Sequence, residues 1–208
     1  MKKIFSKFIE YIVIIFSYIY NYENSRKIKY FSDRIYSIWL RRTFAYCGTD
    51  LMIQKPAIIR GGKYIKIGNN FFSNSRLRME CWDQYGSSRY IPEIIIGNNV
   101  SFNFNCHIGC INRIVIGDNV LFASNIFVSD HFHGTSHNLD TAEPPAKREL
   151  FNKGPVVIEK NVWVGENVVI MPGVTIGENS IIGANAVVTK SFPKNSVLAG
   201  VPATLIKS

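Results

Sequence analysis

The sequence predicts an all-β solenoid, and three observations carry that prediction. From residue 158 onward an aliphatic side chain recurs every six positions, as Ile158, Val164, Ile170, Ile176, Ile182 and Val188. Four residues after each stands Val162, Val168, Val174, Ser180, Ala186 and Phe192, small in all but the last case. Glycine follows several of the aliphatic positions, at Gly165, Gly177 and Gly183. Neither a helix of period 3.6 nor a strand of period 2 sustains a period of six, whereas a coil whose flat sides are six residues long does. The aliphatic side chains then point inward and stack on their equivalents in the coils above and below, and the glycines accommodate tight backbone.

The same pattern runs earlier as Ile96, Phe102 and Ile108, slips by two residues at Ile114-Val115, and resumes as Ile116, Phe122 and Val128. The slip predicts a bulge or outward turn. Ile53, Ile59 and Ile67-Gly68 carry the pattern less regularly, which places the first coil near residue 50 and the solenoid over residues 50–207. Between Val128 and Ile158 the repeat stops, and residues 130–154 are rich in His, Pro and charge. A long excursion from a compact scaffold is a usual place for function.

Residues 1–49 read as a separate helical, basic arm. Residues 1–45 hold nine Lys and Arg against three Asp and Glu, a large share of the chain's net charge of +9. Phe5, Phe8, Ile9, Ile12, Phe16, Ile19 and Tyr20 recur at helical spacing, with Lys3, Lys7, Glu10 and Ser17 roughly opposite, which predicts one amphipathic helix. The apolar stretch from Phe8 to Tyr20 contains Glu10 and falls short of the roughly 20 residues that cross a bilayer. No small-residue cleavage site follows it, so a removed signal peptide is not expected. The arm either lies on an anionic membrane surface or packs against its own domain or a sister subunit. The basic residues lie mainly on this arm with no recognition motif beside them, so nucleic acid is not an expected partner. Cys47, Cys81, Cys106 and Cys110 have the spacing of neither a disulfide framework nor a zinc site, and the plain reading is a protein of the reducing cytoplasm, with the inner membrane face as the alternative.

The string NVWVGENVVIMPGVTIGENSIIGANAVVTKSFPKNSVLAGVPATLIK, residues 161–207, closely resembles the carboxy-terminal half of the hexapeptide-repeat acetyltransferases. The resemblance covers roughly residues 50–207 and combines the six-residue period, the VWVG turn, the AVVTK segment and the closing AGVPA. It implies a left-handed parallel β-helix, usually a homotrimer with sites between subunits, that takes acetyl-CoA as acyl donor. The loop sequence SDHFHG is similar to members that modify O-antigen, capsule or exopolysaccharide sugars, which implies a sugar hydroxyl of a surface polysaccharide or its precursor as acceptor.

Moving acetyl from a thioester to a hydroxyl needs a base, because an alcohol is barely ionised near neutral pH, and histidine suits that task. His107, His131, His133 and His137 are available. His131 stands where a coil breaks into the long loop and aligns with the family's catalytic histidine, so it is the expected base; no acyl-enzyme, cysteine nucleophile or metal is required. By the same resemblance, Asn103 contacts the acceptor hydroxyl, unless it is simply an asparagine stacked at a coil corner. Trp163 walls the site near the thioester or lies at a trimer contact. Gly165, Ala184, Thr189, Lys190 and Lys207 line the donor groove, the lysines as point charges for its phosphates. His133 and the run Glu143-Pro144-Pro145-Ala146-Lys147-Arg148 close over the acceptor, or the run is a solvated charged surface. Cys110-Ile111 stands where galactoside acetyltransferases carry acidic sugar-binding residues, which argues against a simple galactoside.

Three rival readings follow from the same residues. The histidines suit a zinc-dependent hydratase of the same β-helix class, the repeat alone suits a scaffold without chemistry, and the family resemblance also admits N-acetylation of an amino-sugar nucleotide.

Overall fold

The computed structural model describes residues 2–134 and 143–207; His137 and part of the expected loop lie outside them. Two helices, α1 (Lys2–Ile19) and α2 (Tyr22–Leu40), precede three parallel sheets. The first face is built from Tyr46–Cys47, Ile65–Ile67, Glu93–Ile96, Arg113–Ile116, Val156–Ile158 and Thr175–Ile176. The second begins with Met52–Ile53, Phe72–Ser73, Ser101–Phe102 and Leu121–Phe122 and continues through Trp163–Val164, Ile181–Ile182 and Val197–Ala199. The third holds Ile58–Arg60, Arg78–Cys81, His107–Cys110, Phe127–Ser129, Val169–Ile170 and Val187–Val188. The chain visits the three faces in rotation, so each circuit adds one strand to each sheet. Pairing starts at Tyr46, ahead of the boundary at residue 50 that the repeat predicts.

From Ile158 to Val188 the six-residue aliphatic positions are all buried, and so are the positions four residues later, Phe192 included. Phe71, Phe102 and Phe122 form a column inside, with ring centroids 5.7 and 4.3 Å apart. The repeat glycines answer to close approach of stacked backbones: a β-carbon on Gly165 would stand 2.7 Å from the amide nitrogen of Ala184. The left-handed turns fall instead to asparagine, a role the repeat reading did not assign. Asn70, Asn99, Asn119, Asn161, Asn179 and Asn195 all have φ between 56° and 62°, and each of the first five donates its side-chain amide to the next at 2.9 to 3.2 Å. Asparagine tolerates this conformation, and here the stacked coils give its amide a partner on each side.

The amphipathic helix expected over Phe5 to Tyr20 is α1, and the arm adds a second helix that the spacing does not predict. The two helices are bent by 59°, broken at Asn21, whose side chain accepts from the Asn24 amide and caps α2. Helix α2 seats on the start of the coil: the Ser37 hydroxyl accepts from the Ile53 amide at 2.8 Å, and buried Asp33 accepts from the Lys55 amide at 3.1 Å and from Lys29. Leu40 and Phe44 close the core beneath. Helix α1 buries no residue. Among the described residues no single helix is long and apolar enough to cross a membrane.

Candidate active site

Two insertions leave the coil and meet above the third face. The first is a hairpin of Gln84–Tyr85 and Ser88–Arg89; the second returns from the long excursion as His131–His133 paired antiparallel with Leu150–Asn152. They are tied together by the Tyr85 hydroxyl donating to the Ala146 carbonyl at 2.6 Å, the Ser88 hydroxyl donating to Glu149 at 2.7 Å, and the Leu150 amide donating to the Tyr90 hydroxyl at 3.1 Å. Beneath them lies a cleft of about 270 Å³, with a floor of Arg78, Glu80, His107, Gly109, Phe127 and Ser129 and walls of Trp82, Tyr85, His131, His133 and Leu150.

His131 follows directly on the strand Phe127–Ser129, and its imidazole is mostly buried against the cleft. Its Nδ1 lies 2.9 Å from Asp130 Oδ1 and 3.3 Å from the Ser129 hydroxyl. Among the described residues Nε2 has no hydrogen-bond partner, and the ring borders the cleft. Glycine at 109 makes room for it: a β-carbon there would stand 3.4 Å from His131 Cε1 and 3.7 Å from His107 Nε2.

Asp130 is fully buried and has no lysine or arginine partner. Its carboxylate instead accepts from three successive backbone amides, Ile111, Asn112 and Arg113, at 2.9, 2.8 and 2.9 Å, and from the Cys110 thiol at 3.3 Å. Successive N–H groups converging on one point form an anion-binding nest. The nest lies just ahead of the Ile114-Val115 position at which the slip predicts a turn; Ile114 and Val115 themselves pair in regular register within Arg113–Ile116. Burial, with the adjacent Asp130 charge, holds the Cys110 thiol protonated, which keeps it a donor.

On the floor, Glu80 pairs with Arg78 Nε at 2.6 Å and with His107 Nε2 at 3.2 Å. Burial and the nearby Arg78 charge push the His107 pKa below its ordinary value despite Glu80, which favours its neutral imidazole. Trp82 lies against the Arg60 guanidinium at 3.4 Å and meets Tyr85 edge-on at 6.1 Å; Tyr85 in turn meets His133 at 5.4 Å. The cleft therefore pairs an aromatic wall with two imidazoles and an ion pair.

Of the sequence-predicted residues, the fold brings His131 and His133 together in this cleft. Asn103 lies outside its lining, at the corner after the second face, where its side chain accepts from Asn74 at 2.9 Å. Trp163 projects from the second face, half-exposed, between Leu121 and Ile181. Gly165 and Ala184 stack on each other at the following corner, and Lys207 ends the antiparallel strand Thr204–Lys207 on that face. Thr189 and Lys190 are exposed beyond the third face, Lys190 above the Phe192 ring at 5.6 Å. Among the described residues no group of three His, Cys, Asp or Glu side chains is placed to share a metal ion.

The profile of the bacterial transferase hexapeptide (six repeats) family matches residues 155–190. A putative lipopolysaccharide biosynthesis O-acetyl transferase of Escherichia coli K12, WbbJ, is 40% identical over 160 residues, 75% of this chain and 78% of that one. The chain belongs to the hexapeptide-repeat acyltransferases. The galactoside O-acetyltransferase of the same organism is 45% identical over 168 residues, 81% of this chain and 66% of the relative. Among solved structures, a maltose O-acetyltransferase from Clostridium difficile superposes with a TM-score of 0.53 at 28% identity, over 90% of this chain and 76% of that one. AntD, an N-acyltransferase from Bacillus cereus solved with coenzyme A and an amino-sugar nucleotide, shares the fold with a TM-score of 0.68 at 24% identity, over 82% and 87% of the two chains.

Several residues of this cleft escaped the sequence reading. Asp130 precedes the expected base and follows the slip in the repeat, and those two signals together could have found it. Glu80, Trp82 and Tyr85 belong to a coil whose pattern is irregular, and only the register that pairs Arg78 and Glu80 with His107 and Gly109 brings them in.

Proposed function

We propose that the protein transfers acetyl from acetyl-CoA to a sugar hydroxyl of a surface polysaccharide, such as O-antigen, capsule or exopolysaccharide, or of its precursor. The observation that carries this reading is the Asp130–His131 pair at the cleft. The carboxylate accepts from Nδ1–H, which leaves Nε2 with its lone pair on the opposite edge of the ring, where a hydroxyl proton can be taken. As the hydroxyl oxygen attacks the thioester carbon, Nε2 removes its proton and a backbone N–H steadies the oxyanion. The carbon–sulfur bond then breaks, and the proton returns from Nε2 to the departing sulfur. Atoms and charge balance without an acyl-enzyme.

The coil winds left-handed, as the family resemblance implies, and the chain assembles as a trimer. Trp163, Gly165, Ala184, Thr189, Lys190 and Lys207 serve the donor, and their absence from the lining of the cleft accords with sites shared between subunits. Asn103 and His133 serve the acceptor. The lipopolysaccharide assignment of WbbJ and the O-acetyltransferase names of the other relatives favour a hydroxyl over an amine.

The test is the mass of the surface-glycan repeat from a strain lacking the gene, complemented with wild type or His131→Ala. Wild type is expected to add one acetyl mass that alkali removes, and the variant none. An unchanged glycan in both strains overturns the acceptor assignment.

A further inference from the structure

Helix α1 stands apart from everything the acyl transfer requires. It buries no residue, yet Phe8 is 61% and Ile12 51% exposed. At 100° per residue, Phe5, Phe8, Ile12, Ile15, Phe16 and Ile19 fall within one narrow arc, and Ile4, Ile9, Tyr11 and Tyr18 widen it to about half the circumference. The opposite arc carries Lys2, Lys3 and Lys7 with Ser6, Glu10 and Ser17, a net charge of +2, and is interrupted by the apolar Val13 and Ile14. The Ser17 hydroxyl donates to the Ile14 carbonyl at 2.7 Å, so it needs no outside partner.

We infer that α1 is an interfacial anchor that lays its apolar arc into an anionic phospholipid bilayer. Three features select lipid over a second copy of the chain. The apolar arc is far wider than the two-position seam that one partner helix covers. Lysines flanking such an arc are placed to bind lipid phosphates while their stems cross the apolar boundary, and Arg26 and Lys27 add cationic charge just beyond the bend. Tyr18, Tyr20 and Tyr22 cluster at the joint with α2, as aromatics do at the headgroup level. Lys7 and Glu10 keep the helix in the plane of the surface instead of across it, consistent with its failing the length and apolarity of a single span. Helix α2, clamped to the first coil through Ser37 and Asp33, then holds the cleft at a fixed distance from the lipid.

Full-length protein is sedimented with phosphatidylcholine vesicles with and without phosphatidylglycerol, in the absence of acyl donor and acceptor. Wild type is expected to pellet with the anionic vesicles, and less at high salt. Lys2→Glu/Lys3→Glu/Lys7→Glu is expected to bind them at least tenfold more weakly, since each lysine near the surface contributes about 1 kcal/mol. Ile12→Glu/Phe16→Glu is expected to stay in the supernatant with its solution mass by light scattering unchanged. Wild type that fails to pellet overturns the inference. So does an Ile12→Glu/Phe16→Glu protein that still pellets but has lost oligomeric mass, since α1 would then bind a second copy.

Discussion

Asp130→Asn is the substitution that tests the base most sharply, because the carboxylate is surrounded by donors alone. Oδ2 accepts from the Asn112 and Arg113 amides and the Cys110 thiol, while Oδ1 accepts from the Ile111 amide and faces His131 Nδ1. An amide must put its NH2 on one side. Placed toward the nest, it meets several donors at once; placed toward His131, it meets one and the shared Ile111 amide, so that orientation wins. Nδ1 must then accept, which moves the ring proton to Nε2 and removes the lone pair that takes the hydroxyl proton. A tautomer error of this kind costs about 10⁴ in kcat in the serine-protease triad, and a loss of about 10³ to 10⁴ is expected here. The single mispaired donor at Ile111 costs roughly 1–3 kcal/mol, a fall in Tm of about 2–12 °C for a chain of this size. The assay is thiol release from acetyl-CoA in the presence of acceptor, with acetyl-CoA affinity measured separately by calorimetry and expected to be unchanged. A folded Asp130→Asn enzyme with kcat within about threefold of wild type would refute the reasoning, whatever its Tm.

Trp82→Ala is expected to raise the acceptor KM by about 5- to 150-fold while acetyl-CoA affinity holds, because an aromatic face in a buried site contributes on the order of 1–3 kcal/mol; steady-state kinetics with each substrate varied checks it. For His107 the folded pKa lies below its unfolded value, so the unfolded chain binds more protons in the window between them, and stability falls as pH drops from the ordinary histidine value toward the lowered one. Urea unfolding across that window should show a slope that His107→Gln removes, with Glu80, Arg78 and His131 left in place. Asn119→Gly keeps the left-handed turn at φ 58° but loses hydrogen bonds to Asn99 and Asn161, whereas Asn119→Ala adds the left-handed cost; unfolding free energies should place Ala below Gly by roughly 1 kcal/mol.

How much was legible follows from what each element asks of the chain. The six-residue period dictates the core because every inward position meets its own equivalent one coil away, so a local pattern is enough. The repeat glycines were legible as places of close backbone approach, whereas the left-handed corners were not assigned from the repeat; they fall to asparagine, which gains partners from the stack. In the arm the apolar spacing marks α1 up to Tyr20, while α2 escapes that reading because its start is signalled by a single capping side chain, Asn21.

The site is harder to read for a reason built into the fold. A strictly periodic coil spends its backbone amides on the coils above and below, and a corner repeated without change offers no spare N–H to an anion. Three converging amides at Ile111–Arg113 require the circuit to lengthen, and that lengthening is the two-residue slip between Ile108 and Ile116. A coil later the chain leaves the period again, directly after Asp130, and the excursion sets His131 beside the carboxylate that the nest holds. The first departure supplies the amides that hold the charge, and the second supplies the imidazole. Neither is sufficient alone, since Asp130 without the nest would be a buried carboxylate short of donors, and His131 without Asp130 would have no fixed tautomer. Reading the two breaks in the repeat as one feature, through the pairing of Gly109 with Ser129 that stacks them, locates the base and its positioning residue together.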